Sequence, residues 1–279
     1  MKLPKLLETL TRTPLLMAPG AAESILALFQ QHAALPAEDF AAKRTGKDFC
    51  GNAVDLEQMA IEDGTAIIPI KGPLGIGLGD FEKGAGATDY EDIIKDLRSA
   101  GGNDLVKRAI LYFDSPGGMM GGLPETTGAI EDFRDSGREI YSFVGAGGAA
   151  ASAAYWLAAA TDGIFLSPSA QAGSIGVYCA YYDVSEAMAR RGVKIRCFTS
   201  GTYKGMGVPG TSLTPEQESY LQEQVMAMAD EFYSHVKANR SGVRDEDMQG
   251  QMFRALDAVK RSFADEVVKD LDALKRLLG

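Results

Sequence analysis

From Gly64 onward, apolar and polar positions follow two alternating periods. The run "GTAIIPIKGPLG" is apolar at successive positions and ends in glycine and proline, so it predicts a buried strand followed by a glycine-rich turn. "DYEDIIKDLRSA" repeats its apolar residues every three or four positions and predicts a helix, and "VKRAILYFD" predicts a strand. "GLPETTGAIEDFRDSG" predicts a helix that stops at Gly137, and "REIYSFVG" the next strand. The small-residue run "GAGGAAASAAYWLAAATD" predicts a helix, while "DGIFLSP" and "AGSIGVYCAYY" read as strands. "DVSEAMARRG" predicts a helix capped by Asp183, and "VKIRCFTSG" another strand. The long stretch "TPEQESYLQEQVMAMADEFYSHVKANR" opens with Thr214 as N-cap, Pro215 at the first helical position and Gln217 at the third. Strands and helices in alternation imply right-handed crossovers and a mostly parallel sheet, an α/β fold.

The first 60 residues have a different pattern. "AAESILALFQQ" predicts a short amphipathic helix with Ile25, Leu26, Leu28 and Phe29 on one side, and the stretch from His32 to Asp55 is polar and loop-like. The domain division is therefore an N-terminal arm and linker over 1–60 and one globular domain over 61–279.

Composition narrows the function classes. A net charge of −10 repels nucleic acid and anionic lipid, so neither is expected as a partner. No apolar run reaches the roughly 18 residues that span a bilayer, and the opening "MKLPKLLETLTRTPLLMAPG" is too polar for a secretory core, so no membrane anchor is expected. Cys50, Cys179 and Cys197 have no metal-ligand spacing and leave one thiol over, which fits reduced cysteines in a cytoplasmic compartment. No cofactor and no metal are expected.

Three segments carry candidate chemistry. Ser152 is the one polar side chain in its alanine run. As an isolated serine at a helix start it reads as an N-cap; as a nucleophile it needs a base. "YFDSPGG" leaves a strand through Pro116, Gly117 and Gly118, whose bare amides suit an ordinary turn, an oxyanion or a peptide strand. Neither His32, in the arm, nor His235, in a charged helix, stands near a strand end or glycine turn, so a Ser-His-Asp triad has little support. Lysine serves as a base where an apolar site keeps it neutral. Lys204 follows a predicted strand in the glycine-rich loop "FTSGTYKGMGVPGTSLTP" and has no acidic residue within ten positions. It reads as that base or as a solvated loop lysine.

The segments "DSPGG", "AAASAAYWLA", "GSIGV" and "SGTYKG", in that order and spacing, resemble the signal peptide peptidase A (SppA) family of serine peptidases over roughly residues 60–270. The resemblance implies a Ser-Lys dyad on a Clp protease/crotonase-like β-β-α superhelix. It implies Ser152 as nucleophile, Lys204 as general base and Ser174 as the serine that hydrogen-bonds the lysine. It also implies an oxyanion hole from a Gly117 or Gly118 amide with that of Ala153. Met119, Met120, Ile175 and Val177 then line the substrate groove, which takes small or apolar side chains. The front end "RTPLLMAPGAAESILALFQQ" is similar to the SppA-like head-maturation proteases of tailed phages and prophages. In the closing segment, Ser262 and Phe263 stand where the family commonly has glycine and leucine.

The expected function is a serine endopeptidase cutting extended polypeptide, in phage or prophage capsid or scaffold maturation. Its expected partners are an unfolded protein substrate, further copies of itself in a cyclic homo-oligomer, and capsid or scaffold proteins, in the host cytoplasm or the prohead. The alternatives are a cytosolic housekeeping peptidase that degrades signal peptides, a crotonase-like thioester enzyme, and a non-catalytic assembly protein on the same fold.

Overall fold

A computed structural model describes residues 58–279 and the backbone of Leu15–Met17. In chain order the strands are β1 (Leu15–Met17), β2 (Ala60–Glu62), β3 (Thr65–Lys71), β4 (Leu74–Gly75), β5 (Thr88–Asp89), β6 (Arg108–Asp114), β7 (Gly117–Met119), β8 (Glu139–Val144), β9 (Ala149–Ala151), β10 (Gly163–Leu166), β11 (Gln171–Gly173), β12 (Met252–Arg254) and β13 (Glu266–Val267).

The apolar runs pair into a six-stranded sheet of order β13-β10-β8-β6-β3-β2, parallel except for β2. Such a sheet is covered on both faces, so its strands are apolar at odd and even positions alike. Ala109, Leu111 and Phe113 of β6 face the main core with Ile140 and Ile164. Ile110, Phe143 and Phe165 face the opposite side, under Leu274 of the closing helix Leu271–Leu278. Pro69 is tolerated within β3 because β2 pairs only with Thr65–Ile67, so β3 is an edge at that point.

A second feature repeats along the chain. Each of β6, β8 and β10 is followed by a turn and a three-residue strand: β7, β9 and β11. A helix follows the first two, Leu123–Asp135 and Ala153–Ala159. The short strands lie outside the main sheet: β7 in the sheet β1-β7-β4-β5, and β9 and β11 in the sheet β12-β11-β9.

Most of the expected elements are present. The helix Tyr90–Gly101 starts at Asp89, whose carboxylate accepts the Glu91 amide at 3.0 Å. Thr214 and Gln217 close the capping box of the helix Pro215–Asn239. Ser262 takes φ 65°, a left-handed conformation that glycine adopts without strain, which explains why glycine suits that place. Phe263 beside it is fully buried against Tyr155, ring centroids 5.2 Å apart.

Four expectations are corrected. The alanine run is not helical from its start: Ala149–Ala151 is β9, and the helix begins at Ala153. Of "AGSIGVYCAYY" only the first two residues lie in a strand, at the end of β11. "VKIRCFTSG" forms no strand and is exposed throughout. Asp183 lies one residue before the N-cap Val184, though its carboxylate still accepts the Ser185 amide at 2.8 Å. The expected helix over residues 21–31, Cys50 and His32 lie outside the described residues.

Candidate active site

The C-terminal ends of β6, β8 and β10 deliver three segments to one place, the edge where open parallel sheets usually bind ligands. β9 and β11 run parallel, Ala151 opposite Gly173, so Ser152 and Ser174 leave adjacent strands at the same level. Ser115 bridges to Ala150: its amide donates to the Ala149 carbonyl at 2.7 Å, and its carbonyl accepts the Ala151 amide at 3.1 Å. "DSPGG", "AAAS" and "GSIG" therefore meet, although they are far apart in sequence.

Ser152 has φ 55° and ψ −116°, at the junction of β9 and the helix. A side chain there is strained, at a cost of about 1–3 kcal/mol, and such sharp strand-to-helix turns are the ones that present a nucleophile. The turn is held at both ends. The Ser152 amide donates to the Gly173 carbonyl at 2.8 Å, and the Ser152 carbonyl accepts the Trp156 amide at 2.9 Å. Ser152 occupies the N-cap position, yet its hydroxyl does not cap the helix. It points instead to the Gly176 carbonyl at 3.5 Å, a long contact. The side-chain N-cap explanation of this serine is thereby removed. Packing does explain the alanines. Ala150, Ala151, Ala153 and Ala154 are fully buried, and every residue of the helix Ala153–Ala159 is enclosed.

Ser174 also has a left-handed φ, 56°, and is buried. Its amide donates to the Gln251 carbonyl at 2.6 Å. The Gly117 amide donates to Ser115 Oγ at 3.2 Å, and that hydroxyl donates to the Gly72 carbonyl at 2.6 Å. Gly118 lies against β4: a Cβ there would stand 2.0 Å from the Leu74 carbonyl oxygen. The Ala153 amide is the first of its helix, one of the donors that a helix leaves without an internal acceptor. Met119 is buried in the core, its carbonyl accepting the Tyr90 hydroxyl at 2.7 Å, and Met120 is half-buried. Ile175 and Val177 line an open groove of about 620 Å³ that runs from Ser174 along the face of the long helix at Val225 and Met226.

Lys204 is not brought to Ser152 by a hydrogen bond, and it is exposed. The described residues do not supply the apolar enclosure expected around it. Its loop is fixed to the long helix instead: Tyr203 stacks on Tyr220 at 4.6 Å, and Gln217 Nε2 donates to the Thr202 carbonyl at 2.6 Å. His235 is not a solvated helix residue. Its ring stacks on Trp156 at 4.5 Å, and Nε2 meets the Trp156 carbonyl at 2.9 Å. Burial pushes its pKa down. It supports the back of the helix that carries Ser152. Ser115, which ties "DSPGG" to the strand before Ser152, was not singled out from the sequence; its only signal is its place in "DSPGG". Among the described residues no three His, Cys, Asp or Glu side chains are grouped as metal ligands would be.

Residues 133–278, the span that holds Ser152, Ser174 and Lys204, match peptidase family S49. The chain belongs to peptidase family S49. Its relatives include "Capsid assembly protease C" of Escherichia phage lambda, 28% identical over 217 residues, covering 77% of this chain and 48% of the relative. "Head-tail preconnector protein GP5" of Enterobacteria phage P21 is 26% identical over 217 residues, 77% of this chain and 42% of the relative. "Putative signal peptide peptidase SppA" of Enterococcus faecium is 26% identical over 192 residues, 68% of this chain and 55% of the relative. This S49 chain thus spans about half the length of the curated relatives it matches. Among its described residues no helix is long and apolar enough to cross a membrane.

Proposed function

We propose that the chain is a serine endopeptidase working through a Ser152–Lys204 dyad on extended polypeptide. The observation that carries this reading is Ser152 itself: a strained, fully buried serine at a helix start whose hydroxyl leaves the helix uncapped. Ser152 Oγ attacks the scissile carbonyl carbon, and its proton passes to Lys204 Nζ, the general base. The tetrahedral intermediate collapses with loss of the C–N bond, and the same proton goes to the leaving amine. Water then repeats the sequence on the acyl-enzyme and frees Ser152. The amides of Ala153 and of Gly118, or of Gly117 once it leaves Ser115 Oγ, hold the oxyanion, each worth roughly 3 kcal/mol in other serine proteases. Ser174 positions the lysine. The repeated order of strand, short strand and helix supports the Clp protease/crotonase-like superhelix.

Among the described residues nothing encloses Lys204 in apolar surface, and Phe198, in the segment that leads to it, is 92% exposed. Both facts support a homo-oligomer in which a neighbouring copy covers this face and completes the dyad's setting. The printed names of the phage relatives support capsid or scaffold protein as the substrate. The test is hydrolysis of an unfolded polypeptide such as denatured casein by the full chain. Cleavage that disappears in Ser152→Ala supports the reading, and cleavage that persists overturns it.

A further inference from the structure

Strand β7 follows directly on the Ser115 bridge, and its backbone is bare: two of its three residues are glycine. Gly117 has φ 99°, and Gly118 packs against the Leu74 backbone. A strand has two hydrogen-bonding edges. On one, β4 pairs in parallel, Leu74 opposite Gly118. On the other, the arm segment Leu15–Met17 pairs antiparallel along the whole of β7: Leu15 opposite Met119, Leu16 opposite Gly118, Met17 opposite Gly117. Main-chain pairing to a bare edge beside a nucleophile is how an extended peptide is held, and an edge accepts one strand at a time.

We propose that Leu15–Met17 is an internal occupant of the peptide-binding edge of β7, which a substrate strand must displace before it can reach Ser152. The inference rests on the peptidase reading and adds a restraint to it. Two features make the arm a removable occupant rather than a fixed part of the sheet. Its pairing is only three residues long, so few main-chain hydrogen bonds, each of modest net worth, hold it. As a segment of the same chain it binds without a bimolecular step, so it competes with dilute peptide and gives way to a concentrated or better-fitting strand. The segment that continues from the strand, "LLMAPG", is apolar and small, the side-chain class expected of a substrate here.

The test uses the full chain carrying Leu16→Pro, which removes the amide at the centre of β1. The probe is a labelled synthetic peptide of residues 11–20, "TRTPLLMAPG". By fluorescence anisotropy it should bind Leu16→Pro at least about tenfold more tightly than it binds wild type, a difference of about 1.4 kcal/mol. In peptide hydrolysis the variant should show a KM at least about threefold lower with kcat unchanged, because only competition for the edge is removed. Equal binding to both proteins, or to neither, overturns the proposal. So does loss of the folded state by circular dichroism in both Leu16→Pro and Leu16→Asp, which would make β1 structural. If peptide binding discriminates the two proteins while neither hydrolyses peptide, the occupied edge stands and the peptidase reading fails. If both hydrolyse peptide with the same KM, the peptidase reading stands and the occupant fails.

Discussion

The amide of Ser152 donates to the carbonyl of Gly173 at 2.8 Å, locking the candidate nucleophile to the strand end that carries Ser174. The two serines share an unusual backbone, φ 55° at Ser152 and φ 56° at Ser174, each one residue past a three-residue strand. Neighbouring strands thus hold two strained serines side by side, which packing of the core does not require.

Ser152 should separate stability from activity. Ser152→Ala should lower kcat by at least about a thousandfold with the fold intact. Ser152→Gly should be equally inactive yet more stable than Ser152→Ala by about 1 kcal/mol, because glycine relieves the strain at this φ and ψ. Thermal denaturation of the two variants, alongside their hydrolysis rates, measures both effects. A glycine variant less stable than the alanine one would contradict the strained turn.

Lys204 should behave as a base and not as a charge. Lys204→Ala should be as inactive as Ser152→Ala, and the double variant no worse, because the pair acts as a unit. Lys204→Arg should also be inactive, since arginine stays protonated. If the dyad is completed between copies, mixing Ser152→Ala with Lys204→Ala chains should restore part of the activity. A mixture that stays inactive places both groups within one chain.

Gly118 and Gly128 should respond in opposite directions to the same change. Gly118→Ala drives a Cβ to 2.0 Å from the Leu74 carbonyl, so it should cost about 1–3 kcal/mol or more and displace β7 from the site. Gly128 lies inside the helix Leu123–Asp135 with nothing within 4 Å of a new Cβ. Gly128→Ala should stabilise by about 0.5–1 kcal/mol. Urea midpoints of both variants decide the matter, and an equal response would refute the packing argument.

His235 predicts a pH dependence. Burial holds its pKa below the ordinary value, against the pull of the Trp156 carbonyl and Glu131. The unfolded chain therefore takes up the proton more readily than the folded one. Stability from this residue is full above about pH 6.5, the ordinary histidine value, and is lost as pH falls below it. The drop in Tm between neutral pH and pH 5.5 should be smaller in His235→Gln, which should still hydrolyse peptide. An unchanged drop would contradict the assignment, and a dead variant would reopen a histidine base.

The sequence made legible those elements whose side chains carry a period. β3, β6, β8 and β10 are apolar runs long enough to stand out, and Thr214 with Gln217 marks the long helix at its start. The short strands were hidden because β7, β9 and β11 consist almost wholly of glycine and alanine, whose fit depends on close backbone approach. "VKIRCFTSG" has the composition of a strand but no pairing partner among the described residues, so propensity alone misled. That Ser152 and Ser174 belong to one site was implied by the family resemblance, and the register of β9 with β11 sets their strand ends side by side. The pairing of the arm with β7 had no signal, since any chain can supply main-chain hydrogen bonds.

The most direct measurement of the central claim is covalent labelling of the full chain with a fluorophosphonate, followed by mass mapping of the adduct. The account predicts one adduct, on Ser152, that is lost in Lys204→Ala. Labelling of a different serine, or undiminished labelling of Ser152 in Lys204→Ala, would contradict it.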